Sequence, residues 1–186
     1  MHLTTNGGGE ILSANQIASP LVLLLILGFA ALEDKQEKRV SNRLIVLGIS
    51  LCFLMAWGGY LGVTFLVVLR NILIPVISLY LLFLVGVIGA GDIKLFSLIG
   101  GYMGLTFAKN AIVLSFAIGA GWSLIWLLSN HLLFPKMAAV VAYFGDLKNG
   151  KFKTYQSDST FAFSLCIFAA TSALMVKNGL EGVWIG

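Results

Sequence analysis

A chain of 186 residues that is 59% hydrophobic and only 11% charged falls well below the roughly 25% charge of ordinary soluble domains. With a mean hydropathy of +0.95 it reads as a polytopic membrane protein. The net charge of +4 does not argue for nucleic-acid binding, because the basic residues gather between apolar runs, as membrane topology requires, and Cys52 and Cys166 leave no Cys-x-x-Cys pair for a structural zinc site.

Residues 1–10 contain no Lys or Arg, so the first apolar run, about 11–32, reads as a retained helix with its N-terminus outside rather than as a secretory signal. A dense charged cluster follows, from Glu33 and Asp34 through Lys35, Glu37, Lys38 and Arg39 to Arg43. Its four basic residues, Lys35, Lys38, Arg39 and Arg43, place it in the cytoplasm. A second span covers about 44–60. The third ends near residue 88, with Arg70, Asn71 and Pro75 interrupting its start, and Arg70 is expected in an outer interfacial segment with its stem snorkelling. A short fourth span covers about 93–107, and Lys109 with Asn110 marks its outer end. The fifth covers about 111–134, a polar stretch occupies 135–160, and the sixth covers about 161–176.

The expectation is therefore an all-α, multi-pass helical bundle of about six spans. Of the twelve basic residues, nine then lie inside and three (Arg70, Lys109 and Lys177) outside, in keeping with the positive-inside rule. Gly58 with Gly62, and Gly100 with Gly104, stand at spacings that let membrane helices approach closely; they are equally what a glycine-rich membrane chain contains by composition.

Two aspartates fall at cytoplasmic ends of spans: Asp34 and, within Gly89-Ala90-Gly91-Asp92-Ile93-Lys94, Asp92. A carboxylate at the edge of a bilayer-embedded core is expensive to keep and marks function by default. Two carboxylates at close range cannot both ionise easily. One then serves as general base on water, while its protonated partner hydrogen-bonds a scissile carbonyl. That is aspartic peptidase chemistry, and it needs neither metal nor cofactor. Gly89 and Gly91 would give backbone freedom and room for an extended peptide; otherwise they form a turn, with Asp92 capping the next helix.

The segment from Gly89 to Leu95 resembles the signature of the type IV prepilin peptidases, membrane aspartyl proteases of the Gly-x-Gly-Asp class. Asp34, followed by the basic stretch to Arg39 and then Val40-Ser41-Asn42, resembles the family's other aspartate site, with Ser41 where proline is common. The resemblance implies catalytic Asp34 and Asp92, prepilin or pilin-like substrates with a basic leader, and cleavage at the cytoplasmic face of the inner membrane of a prokaryote. It is to the short, peptidase-only members, similar to those of Flp/Tad pili, without the Cys-x-x-Cys segment associated with N-methylation, so that residues 1–186 form one membrane-embedded domain.

Several residues carry two readings. Lys94 either tunes Asp92 and orients the peptide or obeys the inside-positive rule. Asn42 either contacts substrate or Asp34, or caps a helix. Asp146 and Asp158 are rival carboxylates. His2 and His131 have no partner at ligand or triad spacing. A proton- or cation-coupled transporter using the same aspartates is the alternative function, and the oligomeric state is open.

Overall fold

The computed structural model describes residues 14–129 and 162–181. The polar stretch 135–160 with Asp146 and Asp158, both histidines and the chain ends lie outside them. The described residues form helices and connecting turns, in the order α1 (Ala14–Glu37), α2 (Asn42–Trp57), α3 (Phe65–Leu84), α4 (Ala90–Met103), α5 (Leu105–Ser129) and α6 (Phe163–Glu181).

The apolar runs become helices because leucine-, alanine- and phenylalanine-rich stretches satisfy their own backbone within the segment, the condition any lipid-facing chain must meet. Hydroxyls inside these runs bond back along the same helix, Ser115 Oγ to the Ala111 carbonyl at 2.6 Å and Ser172 Oγ to the Phe168 carbonyl at 2.8 Å. Among the described residues two helices are long and apolar enough to cross a membrane, Phe65–Leu84 with a mean hydropathy of 2.2 and the Leu105–Trp126 part of α5 at 1.4. Helices α2 and α6 carry shorter apolar segments, Asn42–Trp57 and Phe163–Gly179.

Helix α4 is the axis of the molecule. Ten of its fourteen residues are buried, and it touches every other helix of the described residues. The others surround it with buried Leu23 and Leu27 of α1, Cys52 of α2, Val68 of α3 and Ile167 of α6. Their outer faces are apolar too. On α3 alone, Leu66, Ile77 and Leu81 are each about 70% exposed, far more contiguous apolar surface than a soluble monomer shows.

Close packing onto α4 depends on glycine. Pro75 lies inside α3 and has no N–H for the Asn71 carbonyl four residues back. Gly100 packs onto that carbonyl, where a Cβ would lie 2.3 Å from the Asn71 oxygen. At Gly101 a Cβ would come within 2.9 Å of Ile72 and 3.1 Å of the Cys52 sulfur. On the next face, the buried Tyr102 hydroxyl donates to the Gly48 carbonyl of α2 at 3.0 Å.

Several local expectations change. Arg70 and Asn71 do not interrupt a helix, since α3 runs through both; Arg70 is an exposed residue in its second turn and donates to Asn71 Oδ1 at 3.3 Å. Lys109 and Asn110 likewise lie within α5. The charged cluster is helical as far as Glu37, so Asp34 sits on the last turn of α1 rather than opening a loop. Gly58 ends α2 and Gly62 occupies a turn at φ +64°, so they are not a helix-contact pair. Gly104, at φ +85°, is the single residue joining α4 to α5, and Gly101 rather than Gly104 joins Gly100 in packing.

Candidate functional site

The candidate site lies where the C-terminal turn of α1 and the N-terminal turns of α2, α4 and α6 converge. Helix α1 delivers Asp34, whose carbonyl accepts from the Lys38 N–H at 2.9 Å. Lys38, at φ +55°, then turns the chain in the left-handed conformation. The connection is short, and it is tied at both ends. The Ser41 N–H donates to Glu33 Oε2 at 2.9 Å. The Ser41 hydroxyl accepts from the Arg43 N–H at 3.2 Å and so N-caps α2. Ser41 thus starts α2. Asn42 is therefore not the cap but the first helical residue.

Helix α4 delivers Asp92 in its first turn. The carboxylate folds back on the helix start, with Oδ2 accepting from the Gly89 N–H at 3.3 Å. Neither Gly89 nor Gly91 has a positive φ, so at these positions backbone freedom is not what glycine supplies. Space is. A Cβ on Gly89 would lie 3.2 Å from Asp92 Oδ2, and one on Gly91 would lie 3.3 Å from Val40 Cγ2. Glycine lets the α1–α2 connection settle against the start of α4.

Asp34 and Asp92, 58 positions apart in the sequence, come near enough for the Asp34 charge to act on Asp92. Asp92 precedes the apolar part of its helix, and its carboxyl is pushed up from 3.8 to about 6. Burial is the main cause; the Gly89 N–H opposes it, and the Asp34 charge adds to the rise. Asp34 is held differently. Its Oδ2 accepts from the Ser164 hydroxyl of α6 at 2.5 Å. The two carboxyls thus have unlike surroundings, one penalised by burial and the other tied to a buried hydroxyl of α6.

Ser164 is the residue that sequence reasoning missed. It is buried, 130 positions from its partner, and a lone serine in an apolar run carries no spacing signal. Phe163 sets its position by packing on Phe116 of α5 at 5.3 Å and edge-on to Phe96 of α4 at 6.5 Å. Lys94 turns away from the carboxylates, and its Nζ donates to Asn42 Oδ1 at 2.6 Å, joining α4 to α2. Among the described residues no group of three or more His, Cys, Asp or Glu side chains gathers at metal-binding range.

A model of the type IV leader peptidase family matches residues 21–124. The match covers more than half of the chain and contains both Asp34 and Asp92; the chain belongs to that family. No curated protein and no solved structure matches it.

Proposed function

We propose that this member of the type IV leader peptidase family is an aspartic endopeptidase that removes the basic leader from prepilins or pilin-like precursors, with Asp34 and Asp92 as its catalytic dyad. The single observation that carries the reading is the meeting of two carboxylates in unlike environments at one end of the helical bundle.

In this reading Asp34, oriented by the Ser164 hydroxyl, is the general base. It takes a proton from water as the water oxygen attacks the scissile carbonyl carbon. Protonated Asp92 gives its proton to the carbonyl oxygen, producing a neutral tetrahedral diol. In the second half the roles reverse. Asp92 recovers a proton from the diol hydroxyl, Asp34 passes its own to the leaving nitrogen, and the C–N bond breaks. Gly89 and Gly91 shape the site by letting the Asp92 carboxylate and Val40 lie against the start of α4, while the Lys94–Asn42 bond joins α4 to α2 beside it.

The proposed setting is the cytoplasmic membrane of a prokaryote. About six spans run through a single domain with the N-terminus outside, and the dyad faces the cytoplasm. Apolar outer helix faces and the partition of basic residues support this arrangement. The substrate's hydrophobic helix would enter the bilayer beside the bundle while its basic leader meets Glu33 and Glu37. A transporter using the same aspartates is not favoured by membership of a leader peptidase family.

The test is cleavage of a prepilin in membranes by the native chain, Asp34→Asn and Asp92→Asn at matched expression. Loss of cleavage in both variants supports the dyad. Activity that survives either change removes that aspartate from the mechanism.

A further inference from the structure

Asp34 and Asp92 both stand at helix ends, the first on the last turn of α1 and the second in the first turn of α4. Helix ends fray where helix middles do not. A pair of carboxyls that must act on one water needs a fixed separation, because a misplacement of about 1 Å can cost on the order of a hundredfold in rate. The two carboxylates take their hydrogen bonds from other groups, Asp34 from Ser164 and Asp92 from the Gly89 N–H. What holds one helix end against the other is the chain between α1 and α2.

On the α1 side, Glu33, next to Asp34, accepts from the Ser41 N–H at 2.9 Å. On the α4 side there are two contacts. The Val40 side chain lies against Gly91, next to Asp92, so closely that a Cβ there would come 3.3 Å from Val40 Cγ2. Asn42, the first residue of α2, accepts at Oδ1 from Lys94 Nζ at 2.6 Å. Residues two apart on a helix do not share a face, so Lys94 reaches across to α2 and not back to Asp92. Val40, Ser41 and Asn42, consecutive in the chain, thus touch close sequence neighbours of both aspartates.

We propose that residues 40–42 are a strap that sets the separation of Asp34 and Asp92, with Asn42 and Lys94 as positioning residues for the reaction rather than contacts to the substrate. The consequence for cleavage rests on the function proposed above; the strap itself is a property of two helix ends. Asn42 is exposed and Lys94 half-buried, while the core that holds the bundle together lies deeper, along α4. Losing the Asn42–Lys94 bond therefore loosens the end of α1 against the start of α4 and leaves the rest of the fold in place.

The experiment has two arms. In the first, cleavage of a prepilin by the full chain in membranes is compared for the native protein, Asn42→Ala, Lys94→Ala, the double variant and Asn42→Asp, which keeps the accepting oxygen. The expected result is a kcat about tenfold lower in each alanine variant, the loss for a displacement of a fraction of an ångström, with KM and unfolding temperature nearly unchanged. The double variant should lose no more, because both changes remove one bond, and Asn42→Asp should keep most of the native kcat. The second arm needs no cleavage. Nitroxides on Gln36→Cys and Ala90→Cys, exposed positions near the end of α1 and the start of α4, should show a broader distance distribution with Asn42→Ala and the native one with Asn42→Asp. An unchanged distribution with Asn42→Ala, additive losses in the double variant, loss confined to Lys94→Ala, or a raised KM at native kcat would overturn the strap. A distribution that broadens in a chain that cleaves no prepilin would support the strap and overturn the peptidase reading instead.

Discussion

Replacing Asp92 by asparagine separates the stability of the candidate site from its chemistry. The Asp92 carboxyl titrates near 6 in the folded chain against 3.8 for an ordinary aspartate. The folded state therefore holds this proton more tightly than the unfolded state. Well below pH 3.8 both states are protonated and the group costs nothing. As pH rises from 3.8 through about 6, the native state is progressively penalised, and above that range the full difference applies. At about 1.4 kcal/mol per pK unit the ceiling is about 3 kcal/mol; water at a half-buried carboxyl reduces it toward roughly 1–2 kcal/mol. Asparagine has no charge to bury, and its Oδ1 still accepts from the Gly89 N–H. Asp92→Asn should thus be more stable than the native chain at pH 7.5 and nearly equal to it at pH 4, while losing prepilin cleavage. For a chain of this size the gain corresponds to roughly 3–6 °C in unfolding temperature. The assay is thermal unfolding in detergent micelles at both pH values, alongside cleavage in membranes. A stability difference that is the same at pH 4 and 7.5, or a variant less stable at pH 7.5, would refute the reasoning that burial strains this carboxyl.

The pH profile of kcat/KM for the native chain should show an alkaline limb with an apparent pKa near 6, where Asp92 loses its proton; a flat profile from pH 5 to 8 would contradict its role as acid. Ser164→Ala should lower cleavage by roughly tenfold, the loss expected for a hydrogen bond to a charged group. Ser164→Thr, which keeps the hydroxyl, should restore it, and loss that the threonine does not rescue would remove Ser164 as the group that orients Asp34. Gly100→Ala should destabilise the fold by more than about 2 kcal/mol, since its Cβ would lie 2.3 Å from the Asn71 carbonyl oxygen. By contrast Gly121→Ala, which meets nothing within 4 Å, should be neutral or stabilising by up to about 1 kcal/mol; equal unfolding temperatures for the two variants would show that α3 and α4 do not pack as described.

What could be read ahead of the structure, and what could not, follows from how far each interaction reaches. Asp92 stands out because its neighbours are informative, with glycines on one side and an apolar helix on the other. Asp34 stands out because charge density changes abruptly beside it. Ser164 has no such local contrast. Its importance comes only from the folding of α6 onto α1, which no window of sequence contains. The unclear start of the third span has a related cause. Locally, a cation and an amide interrupt the apolar run, but in the fold α3 runs through both, and Asn71 is buried where Gly100 of α4 packs on its carbonyl. Gly89 and Gly91 were legible as important positions while their use was not: space for Val40 and the Asp92 carboxylate is a property of tertiary packing, invisible in a dipeptide's conformational preferences.

The two thiols of the chain are both out of reach. Cys52 is fully covered where Gly101 packs against it, and Cys166 is 4% exposed. A membrane-impermeant maleimide should therefore leave the native protein unlabelled, and a cysteine introduced at an exposed position reports without removing either natural one. Lys38 and Lys109 are such positions, near opposite ends of the bundle. Labelling Lys38→Cys and Lys109→Cys in sealed vesicles of known orientation would assign each end of the molecule to its compartment, in an otherwise unaltered chain.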